Sequence, residues 1–268
     1  MENTNKKTRH LLGISGGKDS AALAIYLKEK GSVPAMEYFF ADTGSELPEV
    51  YEYLDKLEAY LGKEIRRIGS NRPFDHHLVI HGDFLPSPQQ RWCTVMMKIK
   101  PFEEFAGNDN VHSYIAIRAD EDREGYISRK KPNIKPIFPF KDDGIVRKDV
   151  FRILEETVGV PEYYKWRSRS GCYFCFFQRR DEWVGLYKNH PDLFKKAMAY
   201  EKINKSTGEQ YSWIEGMTLK ELLSKSEDIE AARAKKKQKG EKRSWQQILA
   251  EDLTDEDPED QACLICSL

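Results

Sequence analysis

Residues 15–20 read Ser-Gly-Gly-Lys-Asp-Ser, and they separate a short apolar run from a helical pattern. The two glycines allow a tight turn that brings backbone N–H groups close to an anion, and the helix that follows adds its positive N-terminal dipole. Ser15 and Ser20 offer hydroxyl groups, and Lys18 supplies positive charge. Asp19 is suited to hold a magnesium ion or to orient the loop. In this setting the motif predicts a phosphate-binding loop rather than an ordinary strand–turn–helix junction.

Strand and helix patterns alternate on either side of this loop. The strand patterns are short apolar runs, at 10–14, 36–41, 64–68 and 113–117. Helical spacing of apolar residues appears at 20–30 and again at 47–57. Such alternation is typical of an α/β fold with a doubly wound, mostly parallel sheet and helices on both faces.

The rest of the chain divides by composition. Residues 69–92 look irregular, and 94–105 predict a helix that Pro101 would kink or split. From about residue 145 the pattern is helical, and a basic block at 233–243 precedes an acidic block at 251–260. We therefore predict three regions: a nucleotide-binding α/β domain at 1–144, a helical extension at 145–225, and a charged flexible tail at 226–268.

Composition bounds the class of protein. The chain has 268 residues, a net charge of −1 and 40% apolar residues, which excludes a membrane protein and a fully disordered chain. No stretch approaches the roughly 20 apolar residues of a spanning helix, and the start of the chain is polar, so we expect a cytoplasmic protein without a membrane partner. Five cysteines, an odd number, favour metal binding or catalysis over a disulfide framework.

Two further turns follow predicted strands. Asp42 and Thr43 lie after the second strand pattern, and Arg118 lies after the fourth. Ligands of doubly wound sheets bind outside the carboxyl ends of the strands, so both turns should face the same crevice as the phosphate loop. Arg118 is a plausible bidentate phosphate donor, although a salt bridge to the acidic residues that follow it is an equal alternative. For Asp42, an equal alternative to a place in this crevice is that it only leads the chain into the next helix.

Four of the five cysteines form two C-x-x-C pairs. Cys172 and Cys175 lie among aromatic and arginine residues, where paired thiolates suit zinc or an iron–sulfur cluster. Cys263 lies 88 positions further on, too far for a local zinc ribbon. Cys93 stands alone, and a small buried hydrophobic role is the alternative there. The neighbouring segment Trp-Arg-Ser-Arg at 166–169 either grips a nucleic-acid backbone or pins the cysteine loop.

These motifs resemble the PP-loop ATP pyrophosphatases of the phosphoadenosine-phosphosulfate reductase-like family. The resemblance covers residues 9–216 and rests on SGGKDS, ADTGSELPE, RWC with KIKPFEEF, AIRADEDREG and RSGCYFCFFQRRDEW. It is strongest to the ATP-pyrophosphatase component of bacterial DNA phosphorothioation systems. It implies a fold of the adenine-nucleotide α-hydrolase-like type with a helical C-terminal extension.

The resemblance also implies an activity and its site. ATP would be split between its α and β phosphates, with Mg²⁺, to adenylylate a DNA backbone phosphate for sulfur insertion. The implied partners are a cysteine desulfurase, the DNA substrate and other phosphorothioation-system proteins. Implied catalytic residues are Lys18, Asp19 and Ser20, and implied ATP-binding residues are Ser15, Gly16, Gly17, Lys18, Asp19, Ser20, Asp42, Thr43 and Arg118.

A [4Fe-4S] cluster is the second implied group. Its ligands would be Cys93, Cys172 and Cys175, with Trp92 standing where the family has a further cysteine. The fourth ligand would be Cys263 or Cys266, unless one iron stays open and these two thiols relay sulfur instead.

Other functions fit parts of the pattern. They are thiolation of tRNA, sulfonucleotide reduction, sulfate adenylylation, and a non-catalytic nucleotide-binding adaptor. The intact SGGKDS loop argues against reduction, because reductases bind no β and γ phosphates and tend to have altered loops.

Overall fold

The central sheet of the computed structural model is parallel throughout. The structure describes residues 8–31, 33, 35–123, 125, 128, 130–203 and 210–240. Five strands form the sheet in the order β3-β2-β1-β4-β5. Their bounds are β1 (Thr8–Gly13), β2 (Met36–Asp42), β3 (Ile65–Gly69), β4 (Asn110–Tyr114) and β5 (Ile134–Ile137). The doubly wound parallel sheet predicted from the alternating pattern is therefore confirmed.

Helices cover the sheet and build the extension. Their bounds are α1 (Lys18–Lys30), α2 (Pro48–Leu61), α3 (Phe74–Ile80), α4 (Trp92–Thr94), α5 (Lys100–Ala106), α6 (Pro139–Asp142), α7 (Arg147–Glu155), α8 (Arg180–Asn189), α9 (Pro191–Tyr200), α10 (Leu219–Ser224) and α11 (Ser226–Gly240). A π-helical segment (Val95–Ile99) joins α4 to α5, and a 3-10 turn (Glu162–Lys165) precedes α8. Two short antiparallel strands, β6 (Lys202–Ile203) and β7 (Gln210–Tyr211), lie between α9 and α10.

Neighbouring residues of the central strands face opposite sides of the sheet. Leu12 and Phe40 belong to the large hydrophobic cluster that contains the buried residues of α1 and α2. Leu11 and Phe39 instead pack with Phe102 of α5 in a second cluster. Because side chains alternate along a strand, one apolar run fills both faces of the sheet, which is typical of central parallel strands.

Some local expectations differ from the structure. The region expected to be irregular contains α3, whose apolar pattern is only seven residues long. Pro101 lies in the first turn of α5, where the missing N–H costs little. The preceding π-helical turns carry the chain past it, and the Lys100 N–H bonds to the Val95 carbonyl five residues back. Strand β5 has no counterpart in the sequence prediction; it is a four-residue edge strand with a proline, which gives little pattern to detect.

An aromatic cluster joins the extension to the α/β domain. Phe174 stacks on Trp213 with ring centroids 5.2 Å apart and contacts Phe74 at 4.3 Å. Phe74 in turn stacks on Trp92 at 5.1 Å. These rings come from both sides of the boundary at residue 144, and they belong to one continuous hydrophobic cluster. The C-x-x-C segment, which contains Phe174, is thereby fixed against the α/β domain.

Helix α11 occupies the first part of the predicted flexible tail. Its sequence is rich in alanine and lysine, which are good helix formers, and ion pairs Lys188–Glu230 and Arg233–Asp181 hold it beside α8. Residues 241–268, and with them Cys263 and Cys266, lie outside the described part of the chain. No helix among the described residues is long and apolar enough to cross a membrane.

A buried carboxylate fixes the segment before α8. Glu182 is fully buried and accepts hydrogen bonds from Ser168 N and Ser168 Oγ, both at 2.6 Å, and from Arg179 N at 3.0 Å. Burial opposes its ionisation, but the Arg179 charge and these hydrogen bonds outweigh burial and lower the pKa of Glu182. Its stabilising contribution is therefore present above its ordinary pKa of 4.5 and is lost as pH falls through the lower folded-state pKa.

We expect Glu182→Gln to reduce the free energy of unfolding by about 1–3 kcal/mol at pH 7, because the new amide NH₂ faces N–H donors. The deficit should shrink as pH falls below 4, where the wild-type carboxylate also loses its charge. Urea denaturation of both proteins between pH 3 and pH 7 measures this. The exposed Glu64→Gln is the control and should change little; a deficit that does not depend on pH would contradict the assignment.

Candidate functional site

The three predicted site loops meet at one edge of the sheet. The SGGKDS loop follows β1, Arg118 follows β4, and Asp42 ends β2. Strand order reverses direction between β1 and β4, so the first two loops flank the switch point where doubly wound sheets bind ligands.

The phosphate loop is shaped by close internal contacts. Gly16 has φ +75°, and a Cβ there would lie 2.6 Å from Val50 Cγ1, so only glycine fits without rearrangement. The Ser15 and Ser20 hydroxyls lie 3.0 Å apart, and Ser20 Oγ also accepts a hydrogen bond from Ser15 N at 3.0 Å. Both serines thus hold the loop closed in this structure. Gly17 is the N-cap residue and α1 begins at Lys18, so the N-terminus of the helix lies directly at the end of the loop.

A buried ion cluster lies beside the loop. The Asp19 carboxylate bridges Lys18 Nζ at 3.1 Å and Arg118 Nη1 at 2.9 Å. Lys18 is 2% exposed and Arg118 is 3% exposed. Burial opposes ionisation of Asp19, but the two cations outweigh it and hold the pKa of the carboxyl well below its usual range. Two positive charges are thereby fixed at the phosphate loop.

Arg118 has acidic neighbours on its own loop as well. Its Nε donates to Asp120 Oδ1 at 3.0 Å, and Nη1 lies 2.7 Å from Glu121 Oε1. Glu121 also pairs with Arg123. The salt bridge considered for Arg118 from the sequence is therefore present, and the guanidinium also pairs with Asp19 of the phosphate loop; its role as a phosphate donor stays a prediction. The local carboxylates fix the direction of the guanidinium.

Asp42 and Thr43 have partners other than the phosphate loop. Asp42 Oδ1 accepts hydrogen bonds from Gly44 N at 2.7 Å and Tyr51 OH at 2.9 Å, which fixes the turn into α2. Thr43 Oγ1 donates to Glu46 Oε1 at 3.0 Å and lies 3.1 Å from Cys172 Sγ. Thr43 therefore connects the end of β2 to the cysteine loop.

The cysteine loop is held from several sides. Arg167, which is 1% exposed, donates to the carbonyl oxygens of Gly171 and Cys172 at 3.1 and 2.8 Å. Tyr173 N donates to Ser45 O at 2.8 Å. Arg167 therefore pins this loop, the second of the two roles considered for the 166–169 segment.

Cys172 has an acidic neighbour. Glu46 Oε1 lies 3.7 Å from Cys172 Sγ, and Glu46 is 6% exposed with its Oε2 atom lacking a hydrogen-bond partner. Burial raises the pKa of the Cys172 thiol well above its ordinary value, and Glu46 adds to the increase, against the opposing effect of Lys98. Glu46 lies two residues before the start of α2, in the turn that follows Thr43.

The predicted cluster ligands are only partly assembled. Cys172 and Cys175 share one turn, in which Cys175 N donates to Cys172 O at 3.0 Å. Cys93 is partly buried against the main hydrophobic cluster. Within the described ranges, no three Cys, His, Asp or Glu side chains are grouped closely enough to hold a metal ion. The residues present thus fit two ligands of a cluster, and the iron–sulfur assignment stays a prediction.

The Trp92 side chain packs in the interior of the α/β domain. The indole is 7% exposed, stacks on His81 at 4.6 Å, and donates from Nε1 to Phe84 O at 3.1 Å. Trp92 therefore belongs to the aromatic core.

Sequence reasoning missed a set of residues that cover the phosphate loop. Tyr163 OH donates to Gly16 O at 2.7 Å, and Lys18 N donates to Tyr164 OH at 3.1 Å. Ser170 Oγ donates to Ser15 Oγ at 3.3 Å. These residues lie about 150 positions from the loop, so no local pattern in the sequence reveals them.

The first half of the chain has recognisable relatives. Residues 9–138 match the phosphoadenosine phosphosulfate reductase domain. This reductase-like domain is just under half of the chain and ends with β5. It contains the phosphate loop, Asp42, Cys93 and Arg118, whereas the Cys172–Cys175 loop lies beyond it. The edge of the sheet described above therefore lies within the region that matches this reductase domain.

Individual relatives cover different parts of the chain. An uncharacterized protein of Methanocaldococcus jannaschii is 24% identical over 203 residues, 72% of this chain and 47% of its own length. A 37.8 kDa protein of Escherichia phage 186 is 46% identical over 61 residues, 23% of this chain and 18% of its own length. The chain thus spans less than half of either relative. A crystal structure of phosphoadenylyl-sulfate reductase from Candida auris, in complex with phosphate, aligns with a TM-score of 0.49 and 14% identity over 61% of this chain and 81% of that chain.

The contact between Gly16 and Val50 can be tested by substitution. We expect Gly16→Ala to cost about 2–4 kcal/mol of unfolding free energy, from the positive φ and the collision with Val50. Gly31→Ala is the matched control, since Gly31 has φ +62° and open space around it; its cost should be about 1–2 kcal/mol. Urea denaturation measures both.

A double-mutant cycle sharpens this test. Adding Val50→Ala should recover part of the Gly16→Ala cost, because it removes the colliding methyl group. Equal costs for the two glycine variants, with no coupling to Val50, would show that backbone conformation alone selects glycine in the loop.

Proposed function

We propose that this protein is an ATP pyrophosphatase that adenylylates a DNA backbone phosphate, so that sulfur can replace one of its oxygens. The observation that carries the nucleotide part is the SGGKDS loop at the switch point, with Lys18 and Arg118 fixed beside it by Asp19. Such a site combines helix-terminal N–H groups with two buried cations, and both favour a polyphosphate.

The chemistry of the first step follows from these charges. An oxygen of the acceptor phosphate attacks the α-phosphorus of ATP; the new O–P bond forms as the bond to the bridging oxygen of pyrophosphate breaks. Negative charge grows on the departing pyrophosphate, where Lys18 and the N–H groups of the loop are suited to stabilise it. Asp19 keeps Lys18 and Arg118 in place, and bound Mg²⁺ would neutralise further phosphate charge.

Adenylylation gives the acceptor phosphate a leaving group. A sulfur nucleophile then attacks the acceptor phosphorus, the bond to the bridging oxygen of AMP breaks, and AMP departs. We propose that a cysteine desulfurase supplies the sulfur as a persulfide, that a thiol reductant cleaves the persulfide S–S bond and is itself oxidised to a disulfide, and that other proteins of a phosphorothioation system bring the DNA. A [4Fe-4S] cluster on Cys93, Cys172 and Cys175 would carry or position sulfide when bound.

A cationic and aromatic patch supports a nucleic-acid acceptor. The guanidinium carbons of Arg91 and Arg169 lie 5.0 and 5.4 Å from the centre of the Phe177 ring, so they are within about 10 Å of each other. Two cations held by one ring suit a chain of phosphates. Arg169 precedes Ser170, which contacts the phosphate loop, and Phe177 follows Cys175 by two residues. The patch thus combines Arg91 with residues next to the phosphate-loop contact and to the C-x-x-C pair, which supports an acceptor phosphate close to both.

Sulfonucleotide reduction is the second candidate, and the match to the reductase domain favours it. The two functions differ in their products. Adenylylation of a phosphate releases pyrophosphate from ATP, whereas reduction releases sulfite from a sulfonucleotide and leaves ATP intact.

The first functional prediction concerns nucleotide cleavage. Purified protein should release pyrophosphate from ATP and Mg²⁺, slowly without its partners. Asp19→Ala and Ser20→Ala should reduce this release at least about 100-fold, because the cations or the loop lose their support. Asp55→Ala, a surface residue paired with Arg67, is the control and should behave as wild type. Sulfite release from phosphoadenylyl sulfate, with no pyrophosphate from ATP, would favour the second candidate.

The second functional prediction concerns iron. Protein prepared without oxygen should be brown and contain about four iron and four sulfide per chain. Cys172→Ser or Cys175→Ser should bleach it, since a serine oxygen is a poor ligand for this cluster. Metal analysis and visible absorption measure this; a colourless protein that contains zinc would replace the cluster with a zinc site.

The third functional prediction concerns DNA. Arg91→Gln should weaken DNA binding and reduce the slope of log affinity against log salt by about one. Arg66→Gln is a matched control, because Arg66 also lies over a ring, that of Phe105, at 5.3 Å, but near the start of β3 and so away from the site loops. An equal loss of affinity in both variants would point to a diffuse charge effect instead of a defined patch.

A further inference from the structure

One segment touches both the phosphate loop and the cysteine loop. We call residues 161–172 the strap. Near its start, Tyr163 OH donates to Gly16 O and Tyr164 OH accepts from Lys18 N. Near its end, Ser170 Oγ donates to Ser15 Oγ. The strap lies outside the matched reductase domain, so these contacts are a property of this chain's extension.

Arg167 connects the middle of the strap to the cysteines. Its two Nη atoms donate to the carbonyl oxygens of Gly171 and Cys172 at 3.1 and 2.8 Å. Gly171 has φ +132°, a conformation that glycine adopts and other residues avoid. The guanidinium therefore sets the direction in which the chain enters Cys172.

The strap is bonded internally as well as at its two ends. Trp166 N and Arg167 N both donate to Tyr163 O, at 3.1 and 2.9 Å, which closes a short turn between the tyrosines and the arginine. Its contact with the phosphate loop is also tight: a Cβ on Gly17 would lie 2.7 Å from Ser170 Oγ. Hydrogen bonds and close packing therefore connect the phosphate loop to the cysteine loop without a gap along the strap.

The two tyrosines act on the phosphate loop in different ways. The C=O of one residue and the N–H of the next point in opposite directions in a trans peptide, so Tyr163, by holding Gly16 O, directs Gly17 N to the other side, where Ser15 Oγ accepts at 3.3 Å. Tyr163 thus supports the loop. Tyr164 instead accepts from Lys18 N, one of the first N–H groups of α1, and such groups are the ones a phosphate oxygen uses.

From these contacts we infer that nucleotide binding is sensed by Tyr164 and transmitted by the strap to Cys172. A phosphate oxygen and the Tyr164 hydroxyl compete for the same Lys18 N–H. When phosphate takes it, Tyr164 is released, the strap shifts, and Arg167 changes its hold on the cysteine loop. Sulfur chemistry at Cys172 is thereby linked to an occupied nucleotide site. This inference rests on the proposed nucleotide site and adds its regulation.

Neighbouring tyrosine variants separate this inference from a structural role. Tyr164→Phe removes the competing hydroxyl, so the protein should bind α,β-methylene-ATP about fivefold more tightly, the value of one hydrogen bond. Tyr163→Phe removes the support of Gly16 and should bind it more weakly. Calorimetric titration measures both. A Tyr164→Phe affinity equal to or weaker than wild type overturns the inference while leaving the proposed function intact; no binding by wild-type protein overturns both.

Hydrogen–deuterium exchange tests transmission. In wild-type protein, α,β-methylene-ATP should increase exchange in the peptide that covers 171–176 at least about twofold, while α9 stays unchanged. Arg167→Lys cannot make the bidentate contact, so it should lose this response while its affinity for nucleotide stays at or above that of wild type, because binding no longer has to change this contact. An unchanged cysteine loop in wild-type protein, at saturating nucleotide, overturns the inference even if the tyrosine variants behave as expected.

Discussion

The interaction on which the site depends is the pairing of Asp19 with Arg118. It joins the loop after β1 to the loop after β4, the two connections that diverge at the switch point. Burying Lys18 and Arg118 without partners would be very unfavourable, so the carboxylates of Asp19, Asp120 and Glu121 are needed to keep these cations inside the fold. The same carboxylates hold the cations in place for an anionic ligand.

The fold was largely readable from the sequence because its signals are local. Buried parallel strands appear as continuous apolar runs, and the glycine at 31 ends α1 in the left-handed conformation as the pattern indicates. The elements that were missed carry weak signals: β5 is short and contains Pro136, and α3 spans only two turns. The sequence predicts a flexible tail where α11 lies, because charged residues dominate this segment, although the same residues favour a helix.

Only part of the site could be predicted from the sequence, because the rest is made by contacts between distant segments. Lys18, Asp19 and Arg118 follow strands, and their position at the same edge is implied by the parallel topology. Nothing local indicates that Tyr163 covers Gly16, or that Glu46 turns towards Cys172 instead of starting α2. These contacts depend on how the extension folds back over the α/β domain, and the aromatic cluster around Phe174 determines that arrangement.

Trp92 shows how such packing limits which residues can stand next to Cys93. Where the family resemblance suggests a second cysteine, this chain has an indole held by Phe74, His81 and the Phe84 carbonyl. Replacing Trp92 by cysteine would remove most of the buried indole and leave a cavity. Large-to-small changes of this kind cost several kcal/mol in other proteins. A second cysteine ligand beside Cys93 therefore cannot be gained by exchanging this one residue without rebuilding the aromatic core around it.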